Sequence, residues 1–430
     1  MAHRKHTVTR AWSNRIKHLP FSPFSAIGAY AIILFLLTTS DAIMSYVSPV
    51  IIKDYVQNSF FMGLILAFSS FVGLISDFLL PEFFRKKTFR FFIWGTILTA
   101  FAFPSIFLLF KPSVFVFLVG MAIWGLYYEM NQFANYNVIH EYLKKEQHAS
   151  GWGILYSFRS AAYLVAPLIV GSLSLQVNRS SLYFSLLFLF LGLAGFTLFS
   201  KIFPKKAGTD DKQETYAGQE RPTVELRIWK ILFLKIWPLY LFVFALFLLD
   251  STFWTVGVLL SEQMRQTHFY GSLFLPLRTL PALFMLFITP ALARPFGKKR
   301  AAFFSAFVAS LILIISGFMT NDVMFIALVF VSSFFSAAAL PEIYATFEDY
   351  MNRLGNFGND IVGLENSAGS FAYIVGPIFA GGISMLLGYR LTFTVIGAFL
   401  AFCSVLALFI VPRKIHLPKK EIEQQTASLP

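Results

Sequence analysis

The sequence predicts an all-α integral membrane protein with twelve transmembrane helices, arranged as two parallel repeats of six. Three observations lead to this prediction. The chain of 430 residues is 57% hydrophobic and only 13% charged, which is about half the charged share of a typical soluble domain. Its apolar residues fall in runs of about 20, long enough to cross roughly 30 Å of hydrocarbon as helices. One segment also occurs twice, once in each half of the chain.

The repeated segment is Ala162–Ser174, AYLVAPLIVGSLS, which returns 210 residues later as Ala372–Ser384, AYIVGPIFAGGIS, with six of the thirteen positions identical. Other residues keep nearly the same spacing. Asp41 lies 209 residues before Asp250, and three further places along the chain give spacings between 208 and 212 residues. A long internal period of this kind indicates duplicated structural units.

Each predicted span is expected to be a helix, because lipid offers no partner for an unpaired backbone N–H or C=O group. Six spans return the chain to the side where it started, so both halves would enter the membrane the same way up. The spans lie approximately at 25–48, 59–80, 89–109, 113–138, 151–174, 181–202, 234–259, 268–290, 301–320, 323–346, 361–385 and 390–411.

The predicted domains follow from these spans. They are a tail at 1–20, a first bundle at 21–202, a polar linker at 203–233 that is expected to hold one surface helix, a second bundle at 234–411, and a tail at 412–430.

Lys and Arg predict the orientation of the chain. Of the 35 Lys and Arg residues, 28 lie in the two termini or in loops on the same side as the termini, and five lie in the opposite loops. The positive-inside rule therefore places both termini in the cytoplasm of a multi-pass cell-membrane protein. Basic loops beside anionic lipid also explain the net charge of +13, so we do not expect nucleic-acid binding.

Polar side chains within the spans are candidates for proton or substrate binding, because ionised groups in a bilayer rarely stay unpaired. Glu129 and Arg159 lie at similar depths in neighbouring spans and are expected to pair, as are Asp250 and Arg278. For the charged candidates, the alternative is an ion pair that only fixes helix packing. The full set is Asp41, Glu129, Gln132, Tyr136, Arg159, Asp250, Arg278 and Glu365.

The second predicted span ends in GLISD and leads through a short loop with RKK into the third span. A Gly-x-x-x-Asp at this place, followed by a basic loop, resembles the signature of the major facilitator superfamily. Phe78 stands where that family has a basic residue, and Phe84 where it has a glycine. The resemblance implies a cytoplasmic gate formed by Gly73, Asp77, Arg85, Lys86 and Lys87, and we place Glu342 near the same face.

The repeated segment contains a proline, which bends a helix, and small residues, which allow helices to approach closely. The copy in span 11 resembles a glycine–proline motif that is commoner among exporters than importers of that family. We assign hinge and packing roles to Pro167, Gly171, Gly376, Pro377 and Gly381.

The resemblance implies the major facilitator fold and a secondary transporter with one mid-membrane cavity, exposed alternately to each side. We expect proton-coupled transport of a small organic solute, with efflux by antiport favoured over uptake by symport and Na⁺ as the alternative coupling ion. Carboxyl groups in low-dielectric surroundings hold a proton more tightly than in water. Asp41 and Glu129 are therefore the expected proton carriers, with Arg159 and Arg278 as counter-charges or anion contacts.

The sequence favours no catalytic role. All seven His lie in tails, loops or span edges, the single Cys403 lies in the last span, and no phosphate-binding Gly-rich loop with Lys occurs. We therefore expect no catalytic residue, no metal and no cofactor, and a monomer that contacts lipid and a small-molecule substrate. A non-transporting scaffold or sensor on a transporter fold is the competing class, and a membrane-embedded enzyme comes third.

Overall fold

The computed structural model describes residues 23–84, 89–143, 147–173, 179–203, 222–284, 297–354 and 358–412. These residues form long helices joined by short turns, and no strand occurs among them. Eleven helices in this part of the chain are long and apolar enough to cross a membrane. The remaining predicted span, 268–290, begins as a 3-10 turn at Phe269–Leu273 and continues as a helix over 274–284.

The first half of the chain contains six helices. They are α1 (Pro23–Val56), α2 (Ser59–Phe84), α3 (Phe89–Leu109), α4 (Val114–Tyr142), α5 (His148–Leu173) and α6 (Arg179–Ile202).

The second half also contains six. The first of them, α7, starts as Pro222–Thr252, passes through a π-helical segment at Phe253–Gly257 and ends as Val258–Thr267. It therefore begins inside the predicted linker. The others are α8 (274–284), α9 (Lys298–Ser316), α10 (Asp322–Leu354), α11 (Gly358–Leu387) and α12 (Tyr389–Ile410).

Three helices run well past the predicted membrane boundary. At their C-terminal ends, α1, α7 and α10 each extend eight residues beyond the apolar stretches that define their spans. The reason is that backbone hydrogen bonding continues through polar residues once a helix is formed, so hydropathy marks where lipid ends and not where the helix ends.

Side-chain caps and one glycine fix the turns between helices. Ser113 accepts a hydrogen bond from a first-turn N–H group of α4 at 3.2 Å. Asn58 does the same at the start of α2, at 2.9 and 3.2 Å. Gly388, between α11 and α12, has φ +83°, a conformation that L-residues rarely adopt and that glycine adopts freely. Ser113 and Asn58 thereby satisfy N–H groups that a helix leaves unpaired at its start.

The buried apolar side chains form two clusters. The smaller lies inside the first half and includes Tyr30, Val138 and Phe196. The larger contains Tyr46 and Met62 of the first half together with many residues of the second half. Because Tyr46 and Met62 lie where α1 ends and α2 begins, the two halves share a core at that end of the bundle, which we call the closed end.

Glycine residues bring helices of the two halves together at the closed end. The α2–α11 pair is a main contact between the halves. A Cβ atom added at Gly63 would overlap the Pro377 carbonyl group, and one added at Gly381 would overlap the Ser59 carbonyl group. These helices can approach so closely because glycine has no side chain.

The equivalent glycine of the first repeat makes an equivalent contact. Gly171 of α5 packs against Ser272, just before α8. Gly376 instead faces Ser251 of α7 within its own half, and Pro167 is buried in α5. The repeated segment thus supplies close helix contacts in both halves.

Candidate functional site

Asp41, in the middle of α1, is only 6% exposed and accepts three hydrogen bonds. Its Oδ1 atom accepts from Trp124 Nε1 at 2.8 Å. Its Oδ2 atom accepts from Tyr163 OH at 2.7 Å and from Tyr128 OH at 3.4 Å. Trp124 and Tyr128 are four residues apart on α4 and so share one helix face, while Tyr163 comes from α5. Donors from two helices therefore hold this carboxylate inside the first half.

Arg159 lies one turn before Tyr163 on α5. Its guanidinium carbon is 5.9 Å from the centre of the Tyr163 ring, and Asp41 is among its electrostatic partners. The sequence predicted Glu129 as its partner. The structure places the Oε1 atom of Glu129 beside Gly73 of α2, 3.2 Å from where a Cβ atom would lie. Asp41 therefore provides part of the negative charge that balances Arg159, a role that the sequence analysis gave to Glu129 alone.

Asp250 of α7 makes a related set of contacts in the second half. It forms an ion pair with Arg278 of α8, as the sequence predicted, and it accepts a hydrogen bond from Tyr373 OH of α11. The guanidinium carbon of Arg278 also lies 4.8 Å from the centre of the Phe253 ring. A carboxylate, a tyrosine and an arginine therefore meet near the centre of each half.

The two aspartate–tyrosine pairs are related by the internal repeat. Tyr163 and Tyr373 occupy the same position of the repeated segment, and each donates to the aspartate in the first helix of its own half. The arginines break the symmetry. Arg159 lies on the fifth helix of the first half, whereas Arg278 lies on the second helix of the second half.

Tyr163 also crosses the boundary between the halves. Its ring packs against Trp254 with 4.9 Å between ring centres, and Trp254 lies in the π-helical segment of α7. Tyr163 interacts electrostatically with Tyr373 as well. The two aspartate–tyrosine pairs therefore meet at the interface and belong to one site.

Glu365 of α11 is 6% exposed, and in the part of the chain that the structure describes it has no hydrogen-bond or ion-pair partner. Tyr156 of α5 and Tyr344 of α10 both interact electrostatically with it. Although these tyrosines come from opposite halves, they are 54% and 40% exposed. The protein therefore leaves open space beside these two tyrosines, away from the closed end.

A buried ion pair joins the halves at the closed end. Glu262 and Arg265, one turn apart on α7, form hydrogen bonds of 2.7 to 3.1 Å and are 7% and 2% exposed. Tyr46 of α1 lies 3.3 Å from both Ser261 Oγ and Glu262 Oε2. We call Tyr46, Ser261, Glu262 and Arg265 the Glu262 cluster. It connects the C-terminal part of α1 to the C-terminal part of α7.

The position of the Glu262 cluster corrects the predicted end of span 7. The sequence placed that end at 259 and assigned Arg265 to a loop. The structure continues α7 to Thr267 and buries both charged residues. They are tolerated because each satisfies the other at i, i+3 spacing.

Above this cluster lies a cavity of about 990 Å³ at the surface of the closed end. Both halves line it, with Lys53 and Ser59 from the first half and Gln263, Ser384 and Arg390 from the second. Its lining includes Gln263 of α7, next to Glu262, and Ser59, whose carbonyl group faces Gly381.

The other predicted polar site residues are distributed around the bundle. Gln132 is exposed on α4. Tyr136 packs edge-on against Trp152 of α5, with ring centres 4.8 Å apart. Glu342 is 5% exposed and interacts electrostatically with Lys298 of α9.

The predicted cytoplasmic gate is described only in part. Gly73 and Asp77 lie within α2. Arg85, Lys86 and Lys87 lie outside the described residues, so their role stays a prediction.

The aromatic partners of the aspartates are the residues that site prediction missed. Tyr163 and Tyr373 carried a usable signal, because both copies of the repeated segment retain the tyrosine although seven of the thirteen positions differ. Trp124 and Trp254 carried none, since a tryptophan in an apolar span looks the same in sequence whether it faces lipid or an aspartate.

Comparison with known protein families shows which family this chain belongs to. A family model described as the Major Facilitator Superfamily matches residues 29–358 and 279–430. The chain belongs to the major facilitator superfamily. It is therefore a multi-pass membrane protein and a secondary transporter, and its fold and family are those of transporters. No curated protein sequence matches this major facilitator protein.

Solved structures of major facilitator transporters share the fold. A bacterial homologue of the human lysosomal transporter Spinster, inward-facing and unoccupied, is 13% identical with a TM-score of 0.65, covering 90% of this chain and 96% of its own. A peptide transporter, POT, is 13% identical with a TM-score of 0.68, covering 92% and 99%. An inward-facing bacterial homologue of the iron transporter ferroportin is 14% identical with a TM-score of 0.67, covering 90% and 99%.

Proposed function

We propose that this major facilitator protein couples transport of a small organic solute to proton movement, and that it exports the solute in exchange for protons. The observation that carries the proposal is the setting of Asp41, a buried carboxylate in the first half that one hydrogen bond joins to Tyr163, whose ring contacts the second half. Protonation would remove its charge and turn one oxygen from an acceptor into a donor. A proton on Asp41 would therefore change the contacts that Trp124, Tyr128 and Tyr163 make.

Asp41 is a better proton carrier than Asp250 because of what each aspartate binds. Asp41 takes its three hydrogen bonds from neutral donors. Asp250 is bound directly to Arg278, so protonating it would leave a partly buried arginine without its counter-charge. Arg159 and Arg278 act as counter-charges or as contacts for an anionic part of the solute.

Glu129 is the second proposed carrier. Its carboxylate lies against Gly73, between α4 and α2. Gly73 also belongs to the predicted cytoplasmic gate, so the charge on Glu129 would act on helix packing beside that gate. Protonation of Glu129 would therefore directly affect the opening of the cytoplasmic side.

Solute is proposed to bind between the halves, where Tyr156 and Tyr344 are exposed and Glu365 is buried. These residues belong to α5, α10 and α11, so a solute there would contact both halves. Since the basic residues predict cytoplasmic termini, the closed end would face outward and this site would open to the cytoplasm. Solute would then be released on the far side after the contacts at the closed end separate.

Flux measurements in proteoliposomes test the proposal. The vesicles would enclose a pH-sensitive dye, and amino acids, sugars, nucleosides, organic acids and amphiphilic cations would each be added outside. Inward solute movement makes the lumen more alkaline under antiport and more acidic under symport, so the sign of the change separates export from uptake. No pH change and no flux for any probe would favour a non-transporting scaffold.

Two substitutions test the assignment of the carriers. Asp41→Asn and Glu129→Gln are each expected to abolish gradient-driven transport while leaving solute exchange without a pH gradient measurable. Asp54→Asn is the matched control, because Asp54 is exposed at the end of the same helix as Asp41. If both carrier variants keep wild-type transport under a pH gradient, neither residue carries the proton.

A further inference from the structure

Tyr163 makes contacts on both sides of the interface between the halves. Its hydroxyl group donates to Asp41 at 2.7 Å within the first half. Its ring packs against Trp254 of the second half at 4.9 Å between centres. One rigid side chain therefore connects the buried carboxylate to the opposite half, with no intervening residue.

The ring partner of Tyr163 occupies a special place in α7. Trp254 lies in the π-helical segment Phe253–Gly257, four residues beyond Asp250 and a few residues before the Glu262 cluster. Segments of π-helix inside α-helices are rare and occur frequently at functional sites. A displacement of Trp254 would therefore act at the point where the central part of α7 joins its closed-end part.

We infer that Tyr163 and Trp254 are positioning residues that transmit the protonation state of Asp41 to the closed end. This inference rests on the proposed proton coupling. While Asp41 accepts the Tyr163 hydrogen bond, the tyrosine ring is held against Trp254 and α7 keeps its contact with α1. When Asp41 takes a proton on Oδ2, that oxygen becomes a donor, so Tyr163 loses its charged acceptor and the hydrogen bond that holds its ring against Trp254 is weakened.

The groups around Asp41 support this assignment to Tyr163. The titratable and charged side chains seen to interact with Asp41 in the described part of the chain include Tyr127 and Tyr128 of α4 and Arg159 and Tyr163 of α5. Tyr127, Tyr128 and Arg159 belong to the first half, as Asp41 does, and α6 contributes the uncharged Ser185 beside the preceding residue of α1. Of the four, Tyr163 is the one with an aromatic contact to the second half.

The test measures the conformation of the closed end against pH. Spin labels would be attached to cysteines introduced by Val114→Cys and Gln266→Cys in a Cys403→Ser background, and the distance between the labels measured in acidic and in alkaline buffer. Val114 is the first residue of α4, and Gln266 lies next to the last residue of α7. Both residues are exposed and lie at the closed end. When Asp41, Tyr163 and Trp254 are all unchanged, we expect the distance between the two labels to be longer in acidic than in alkaline buffer.

Three variants decide the outcome. Asp41→Asn is expected to give the acid distribution at every pH. Tyr163→Phe and Trp254→Leu are expected to lose the pH response. Tyr142→Phe and Trp94→Phe are the matched controls, because Tyr142 OH bonds a backbone carbonyl group and Trp94 is exposed on α3, and both should keep the response. Size-exclusion profiles confirm that each variant is folded.

The inference is overturned if the wild-type distances do not depend on pH, or if Tyr163→Phe and Trp254→Leu respond as the wild type does. Its failure is distinct from failure of the proposed function. Proton-coupled flux with a normal response in Tyr163→Phe rejects the inference and keeps the function. A pH response that vanishes in Tyr163→Phe, with no flux for any probe, rejects proton-coupled transport and keeps the conformational link.

Discussion

Asp41 and Asp250, equivalent residues of the two repeats, each accept a hydrogen bond from an equivalent tyrosine, but only Asp250 is bound directly to an arginine. The duplication thus preserved the aspartate–tyrosine pair and not the cation. Two sites that began alike now differ in charge balance. Such a difference is what a transporter needs if one half is to take up a proton and the other is to stay fixed.

The Asp250–Arg278 ion pair allows a test that separates structure from transport. Asp250→Asn alone and Arg278→Gln alone are each expected to destabilise the protein by about 2 kcal/mol, because each leaves a partly buried charge unpaired. The double variant is expected to recover most of this loss. Thermal unfolding in detergent measures the cycle.

Transport in the same variants gives the second readout. If the pair only fixes helix packing, the double variant recovers flux together with stability. If Arg278 contacts the solute, flux stays low in the double variant although stability returns.

The glycine contacts at the closed end predict a steric effect. Gly63→Ala and Gly381→Ala would place a methyl group against a backbone carbonyl of the partner helix, and overpacking of this kind costs about 1–3 kcal/mol. Both variants are expected to lower thermal stability and to lengthen the Val114–Gln266 label distance. Gly28→Ala is the control, because nothing lies within 4 Å of its added Cβ atom. Equal stability of all three variants would contradict the predicted contact.

The Glu262 cluster predicts a large effect from a small change. Glu262→Gln would remove the carboxylate charge that lies 2.7 Å from Arg265, itself 2% exposed, at a cost of about 3–5 kcal/mol if the arginine stays buried. Because opening of the closed end would hydrate Arg265, we expect longer label distances as well as lower stability.

A half-exposed ion pair provides the comparison for that variant. Lys298 and Asp349 lie 2.9 Å apart with side chains 43% and 46% exposed, so Asp349→Asn is expected to cost about 1 kcal/mol or less. A Glu262→Gln variant no less stable than Asp349→Asn would show that the buried pair contributes little to closure.

We expect substitution of Glu365 to weaken solute binding without lowering the stability of the protein. Because no partner of Glu365 is seen among the described residues and burial of an unpaired charge is unfavourable, Glu365→Gln is expected to unfold at the same temperature as the wild type or higher. Thermal shifts caused by an amphiphilic cation probe are expected to need at least about tenfold more probe, or 1.4 kcal/mol.

The exposed Glu348 gives the matched control for this prediction, since Glu348→Gln should leave both the stability and the probe response unchanged. An unchanged response to amphiphilic cations, amino acids and organic acids in Glu365→Gln would remove Glu365 from the solute site.

Hydropathy and the repeat predicted most of the fold. Eleven predicted spans coincide with membrane-length helices, and the described part of the twelfth with a 3-10 turn and a short helix, because the cost of unpaired backbone groups in lipid leaves few alternatives. The Asp250–Arg278 ion pair was also predictable, since charged groups inside a membrane need partners.

The rest of the site depends on helix rotation and on contacts between distant helices. Nothing in the order of residues shows that Trp124 turns toward Asp41 or that Trp254 reaches Tyr163. Arg265 was misplaced because a charged residue after an apolar run has the same sequence pattern in a loop and in a buried, paired turn. The two missed aromatic contacts each join side chains that are more than 80 residues apart in the chain.

The π-helical segment in α7 has one more consequence. A π-turn accommodates an extra residue, and one residue of an α-helix corresponds to about 100° of rotation. The angular setting of Ser261 and Glu262 toward α1 is therefore dictated by the winding at Phe253–Gly257. Removing a single residue there would swing the tip of α7 by more than a quarter of a circle, and Tyr46 would meet a different set of side chains.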